Sequence, residues 1–394
     1  GGRCGQSAGT GPDAAGHQFR GAGHPALNIL MSDIDLVQLL SDAVGQGASD
    51  LHLSVGAPPL IRLNGELASM GGEALTSDLS RDMVLGVLTE SQRARLEQDW
   101  ELDFALQVDG VGRFRGNAHF CRGALEAAFR YIPHEIPELG NLGHSEALLQ
   151  LCELRRGLVL VTGITGSGKS TTLAAMVRHI SERMAGVIVT VEDPIEFVFS
   201  NARSIVKQRE IGSDTHSFAE ALRHSLRQDP DVILVGEMRD PETISAAVTA
   251  AETGHLVLGT LHTIDAPKAI DRIVDAFSAD QQPQIIAQLA NSLEAIISQR
   301  LLPAEDGGGR ALATEVLVAN TAVRATIRER RWEQMVGLIE IGRKDGMHTF
   351  DDSLSELYMQ RRISKEEAIA NARDKARFES LLRDQPSKKK GFFS

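Results

Sequence analysis

Leu158 to Ser170 reads LVLVTGITGSGKS. The apolar run Leu158-Val159-Leu160-Val161 has the length and branching of a buried strand. The turn that follows matches G-x-x-x-x-G-K-S, and each fixed position has a physical role. A Gly-rich loop turns its backbone N–H groups inward, and a helix starts with its positive dipole end aimed at the same point. Lys169 can reach the β and γ phosphates of a nucleoside triphosphate, and the Ser170 hydroxyl can ligate Mg²⁺. Thr171 onward continues as a helix, with Ala174, Ala175, Met176 and Ile180 available for packing. Gly163, Ile164, Thr165, Gly166, Ser167, Gly168, Lys169, Ser170 and Thr171 are therefore the expected nucleotide-binding residues.

Outward from this loop, apolar strands alternate with helices. Strands are expected at Val187–Val191, Val232–Val235 and Leu256–Thr260. Helices are expected from Lys169, from about Ser217 to Gln228 and from about Thr243. Such alternation implies a parallel sheet covered on both faces, an α/β fold. From about Asp265 the chain is expected to be mostly helical.

Upstream the pattern is different. Met31 to about Gln46 reads as an amphipathic helix, and short alternating strands follow at 48–53 and 60–63, closed by Asn64-Gly65. One helical stretch is expected from about Asp78 to Asp99, then strands at 103–108, 113–120 and 123–131. Residues 31–132 thus form an α+β domain. Residues 133–143, with two prolines and two glycines, read as a linker, and 144–385 as the nucleotide-binding domain with its C-terminal helices. Residues 1–30, rich in Gly, Ala and Pro, are expected to be a disordered extension or tag. Residues 386–394 form a basic tail.

The composition sets limits. A chain of 394 residues is expected to hold two or three domains, and 42% apolar residues suffice for substantial cores. No run of eighteen apolar residues occurs, so no transmembrane helix is expected. A net charge of −12 argues against a generic nucleic-acid binder. The three cysteines, Cys4, Cys121 and Cys152, make no CxxC pair, which argues against a zinc site and fits a reduced cytoplasmic compartment.

Further chemistry gathers at the strand ends. Val232–Val235 runs into Gly236-Glu237. In a parallel-sheet NTPase the strand next to the loop strand delivers an acid toward the metal and the attacking water. Gly236 takes the slot of the usual Asp, so Glu237 is the candidate base, bound to Mg²⁺ directly or through water. Val191-Glu192-Asp193-Pro194-Ile195-Glu196 ends the preceding strand in three carboxylates, of which Glu192 and Glu196 are the expected contributors. His255 and His262 flank the strand Leu256–Thr260. His262 falls at its C-terminal end, where open α/β sheets bind ligands. Arg113, Arg115 and Arg130 lie on neighbouring strands of the first domain, and one of them could act as an arginine finger.

Four stretches carry a family resemblance: GITGSGKSTT, VEDPIEF, RQDPDVILVGEMRDPET and ETGHLVLGTLHT. Together they resemble the secretion and type IV pilus ATPase superfamily, over essentially the whole chain from Met31. Ala322–Glu329, AVRATIRE, is similar to the AIRNLIRE motif of the retraction branch, with Thr326 in place of an apolar residue. The resemblance implies a homohexamer, each subunit with an N-terminal PAS-like domain and a C-terminal RecA-like domain. It implies that VEDPIEF is an Asp box, GEMRD an atypical Walker B and His255–His262 a His box. It also implies that Arg115, Arg130 and Arg113 sense nucleotide. The implied activity is hydrolysis of ATP with Mg²⁺ at the cytoplasmic face of the inner membrane. That activity would turn a membrane platform protein and retract the pilus. Assembly and type II secretion ATPases are typically longer and carry a tetracysteine zinc site, so the retraction branch is expected. A paralogous accessory retraction ATPase is the near alternative, and a RecA-like nucleic-acid translocase the distant one.

Overall fold

The computed structural model describes residues 35–379, apart from Asn64, Pro133, His134, Ser145, Gly308, Asp374, Ala376 and Arg377. The expected extension at 1–30 and the basic tail at 386–394 lie outside the described residues. The chain divides into two compact units after Tyr131.

The first unit runs α1 (Leu36–Gly45), β1 (Asp50–Leu53), β2 (Leu60–Leu63), β3 (Glu66–Ser69), α2 (Ser77–Gly86), α3 (Glu90–Asp99), β4 (Glu101–Val108), β5 (Gly112–Cys121) and β6 (Ala124–Ile132). The six strands form one sheet in the order β3-β2-β1-β6-β5-β4. The sheet packs one face, with Leu51, Phe114, Leu125 and Phe129, against Leu36, Leu40 and Val84 of the helices. The single helix expected at 78–99 is two. Thr89 caps α3 with a reciprocal capping box to Gln92, and the chain between the helices buries Val87 and Leu88. Trp100, just past α3, is left-handed at φ 65° and 71% exposed.

The second unit continues with α4 (Ala147–Cys152), β7 (Gly157–Thr162), α5 (Lys169–Arg183), β8 (Val187–Glu192), β9 (Ile205–Glu210), α6 (Phe218–Ser225), β10 (Val232–Val235), α7 (Pro241–Glu252) and β11 (Leu256–Leu261). It then runs α8 (Ala266–Asp275), α9 (Gln282–Ser292), β12 (Leu293–Pro303), β13 (Arg310–Val318), α10 (Thr321–Arg328), α11 (Met335–Ile341), α12 (Phe350–Met359) and α13 (Lys365–Asn371). Its seven strands are ordered β13-β12-β7-β11-β10-β8-β9, and each neighbouring pair except β12–β13 is parallel. This is the RecA-like α/β architecture expected from the sequence. Strand alternation feeds two cores. Leu158, Leu160, Ile233 and Val257 meet α6 to α11 on one face, while Val159, Val161, Val232 and Leu258 meet α4 and α5 on the other. Burying each such side chain contributes about 1.5–3 kcal/mol before entropy is counted.

Three expectations change here. The region after Asp265 is mostly helical but not helical throughout: β12 and β13 pair from Ala295–Val318 to Pro303–Arg310, and β12 extends the sheet beside β7. Local periodicity does not separate a strand buried on both faces from a helix, and the pairing with β7 settles it. The stretch 133–143 is not a free spacer, since Ile136 and Leu139 are buried in the second unit. β9 was not expected at all. Trp332 lies against the core that contains α8 and donates a hydrogen bond to Asp271.

Candidate functional site: a phosphate loop and its acid–histidine pair

β7 is buried along its length and ends at Thr162, where the chain enters the loop. Gly163 sits at φ +147°, and a Cβ there would collide with Ser167 Oγ and the Gln299 carbonyl. Only glycine fits. Gly168 starts α5 at φ 90° without a side-chain cap, whereas α6, α7 and α8 are capped by Ser217, Asp240 and Asp265. The first-turn N–H groups of α5 are thus kept as anion donors. Lys169, 9% exposed, donates to the carbonyls of Gly163 (2.8 Å) and Ile164 (3.1 Å). Burial lowers its pKa, and the charge of Glu237 opposes that shift. Ile164, Thr165, Gly166 and Ser170 are exposed, and Thr171 is half-buried.

Glu237 does not come from the strand next to β7. β11 lies between β7 and β10, so the acid crosses one strand to approach the loop. Its carboxylate Oε1 accepts from His262 Nε2 at 3.1 Å and from Arg239 Nε. Burial raises the Glu237 pKa most, but the Arg239 hydrogen bond and the charges of His262 and Arg239 together hold it below the usual range. The carboxylate is therefore ionised. Gly236 is required by close approach. A Cβ there would lie 3.2 Å from both the Glu192 Cα and the Val191 carbonyl, so the Asp expected at this slot would not fit unshifted.

In the acidic turn, hydrogen bonds within the chain take up the first carboxylate. Glu192 is buried and accepts from Thr190 Oγ1 (2.7 Å), Gln208 Nε2 (3.3 Å) and the Glu196 N–H (3.4 Å). Burial raises its pKa, with those hydrogen bonds opposing. Gln208 and Glu210 on β9 hold the rest of the turn through Phe197, Phe199 and Ile195. Glu192 is committed to this network, and Glu196 is exposed.

His255 is not brought to the loop within the chain. It precedes β11 beside Gly157, at the opposite end of the strands, and its Nδ1 bonds the Ala250 carbonyl at 3.0 Å. Strand rise puts it on the order of 20 Å from His262. Arg113, Arg115 and Arg130 all lie on the sheet face turned away from the first unit's core. Arg115 faces Asp103 at 3.9 Å, and Arg130 Nε bonds Asp50 at 2.8 Å.

Residues far down the sequence complete the loop's surroundings. Leu301 packs on Gly168, and Arg310 Nη1 donates to the Gly166 carbonyl at 3.3 Å. Gly307-Gly308-Gly309 before Arg310 was the available signal of a turn. Among the described residues no cluster of three or more His, Cys, Asp or Glu side chains could hold a metal alone. The donor set still suits Mg²⁺, which takes one or two protein oxygens along with phosphates and waters. Ser170 offers an exposed hydroxyl and Glu237 an ionised carboxylate.

The model of the family described as Type II/IV secretion system protein matches residues 28–377. The chain belongs to this family. Along 344 residues it is 46% identical to the type IV pilus retraction ATPase PilT of Pseudomonas aeruginosa, covering 87% of this chain and 98% of that protein. It is 40% identical over 339 residues to the type IV pilus ATPase PilU of the same species, covering 86% and 89%. A crystal structure of the pilus retraction motor PilT with bound ADP superposes with a TM-score of 0.83 at 46% identity, over 88% of this chain and all of that one. Among the described residues of this family member, no helix is long and apolar enough to cross a membrane.

Proposed function

We propose that this chain is an ATP-hydrolysing motor for type IV pilus retraction. It works as a homohexamer at the cytoplasmic face of the inner membrane and drives a platform protein of the pilus machinery. The observation that carries the reading is the ionised Glu237, held by His262 and felt electrostatically at Lys169. Added to it is the likeness to PilT along nearly that protein's full length.

Lys169 and the α5 amides bind the polyphosphate. Glu237 orients the attacking water, which adds to the γ phosphorus as the bridging oxygen leaves with ADP and free phosphate forms. Mg²⁺, held by the Ser170 hydroxyl and by Glu237 directly or through water, would neutralise charge on the phosphates. His262 fixes the Glu237 rotamer. Arg115 and Arg130, with Arg113 less directly, supply cations from the first unit. Glu192 shapes the turn beside Gly236.

The test is genetic and biochemical. Deletion is expected to leave hyperpiliated cells that do not twitch, and Lys169→Ala is expected to fail to restore retraction because turnover is abolished. Bald cells would instead assign assembly. DNA-stimulated turnover would assign nucleic-acid translocation. Restoration of motility only beside an intact second retraction ATPase would assign the accessory role.

A further inference from the structure

Gln299 sits on β12 with 4% of its surface exposed. A primary amide in such a place is costly unless it is hydrogen-bonded. Its Nε2 donates to Thr172 Oγ1 at 2.9 Å, its amide Oε1 has no hydrogen-bond partner among the described residues, and its backbone carbonyl abuts Gly163 at the loop entrance. The preceding residue, Ser298, accepts from Thr162 Oγ1 at 3.0 Å. Thr172 is itself buried, in the first turn of α5, three residues after Lys169. Two consecutive residues of β12 therefore grip the chain just before the phosphate loop and just after it.

Thr172 also has a second partner. His144 Nε2 lies 3.0 Å from its hydroxyl. Burial first, and the charge of His348 second, push the His144 pKa down to about 4, so the ring is neutral near pH 7. A neutral ring can accept at Nε2, which lets the threonine hydroxyl accept from Gln299 and donate onward. An apolar side chain would fill this space as well. The hydrogen bond from Gln299 to Thr172 is directional, and directionality is what an anchor requires.

We propose that Gln299 is a positioning residue for nucleotide binding. Through Thr172 it fixes the first turn of α5, and with it the amide cradle and Lys169 that receive the polyphosphate. The inference rests on the phosphate-loop reading above. A cradle held in place before binding loses less conformational freedom when the ligand arrives, so the gain is in affinity rather than in the chemical step.

The test uses the full chain with Gln299→Met, which keeps length and apolar volume but loses the donor, and with Thr172→Val, Thr172→Ser and the Gln299→Met/Thr172→Val pair. The measurements are KM and kcat for MgATP, Kd for ADP, and Tm without nucleotide. Gln299→Met is expected to raise KM and Kd roughly tenfold, with kcat within about twofold. Thr172→Val should match it, the double variant should be no worse than either single one, and Thr172→Ser should restore most of the affinity. A lower Tm with KM unchanged would make Gln299 merely structural and overturn the proposal, as would additive losses in the double variant. If Gln299→Met fails to fold, the Thr172→Val and Thr172→Ser comparison decides alone: equal affinities sink the idea. Lys169→Ala serves as the control. Nucleotide binding that survives it would refute the phosphate-loop reading, whereas binding lost there with KM unchanged in Gln299→Met would refute only the positioning role.

Discussion

Glu237 is the residue on which the proposed chemistry turns. Its carboxylate is ionised and aimed by two cationic or hydrogen-bonding neighbours, so its replacement by an isosteric amide should remove the base without disturbing the fold. Glu237→Gln is expected to lower kcat by about 10²–10⁴-fold, with ADP affinity nearly unchanged. Single-turnover kinetics alongside nucleotide titration would check this, and unaltered turnover would remove Glu237 from the mechanism. His144 makes a different prediction. Its pKa falls from 6.5 to about 4 on folding, so the unfolded chain binds the extra proton between those values. Stability is then fully present above about pH 6.5 and is lost as pH falls toward 4, by at most about 3 kcal/mol. Glu192 and Glu315 have raised values and contribute with the opposite sign. The informative quantity is the difference between the parent chain and His144→Asn, whose melting temperature should fall less steeply over that window.

At the scale of elements, the strand ends decide how close two backbones can come. Gly236 brings the end of β10 against the backbone at the end of β8, where neither partner atom can swing away. Gly236→Ala should therefore cost about 1–3 kcal/mol and displace Glu237. Thermal melting and kcat would both drop; a change in neither would show that the contact yields. The same elements explain what could be read in advance. The phosphate loop, the β10 acid and His262 were legible because each motif is local, within a few residues of a strand end. β9 was not, because Lys207-Gln208-Arg209-Glu210 is a polar edge strand whose pairing with β8 leaves no apolar alternation. β12 is hidden for the opposite reason: it is buried on both faces along most of its length, so it shows no alternation and looks like a helix in isolation. Gln299 and Arg310 followed it into obscurity, since their partners Thr172 and Gly166 lie far away in sequence. The Asp slot at Gly236 is visible in the sequence, but its cause, the Glu192 backbone, lies on a neighbouring strand distant along the chain.

For the molecule as a whole, the two units hold separate parts of the proposed machinery. The phosphate loop, acid and histidine belong to the second, the three arginines to the first. If the arginines act on nucleotide, Arg130→Ala should cut turnover several-fold while the proposed hexamer stays assembled by sedimentation. Dissociation with per-subunit activity retained would remove Arg130 from catalysis. Its bond to Asp50 gives the control, because Asp50→Asn releases the same ion pair while keeping the cation. The distribution of tryptophan has a separate consequence. The chain has two, Trp100 and Trp332, one in each unit. Trp100 is open to water, while Trp332 is partly enclosed and hydrogen-bonded to Asp271. Each unit therefore carries its own fluorophore in a different solvent environment. Trp100→Phe would leave emission that reports only on the nucleotide-binding half, and Trp332→Phe only on the other, so the order in which the halves respond to ATP can be timed without attaching a dye.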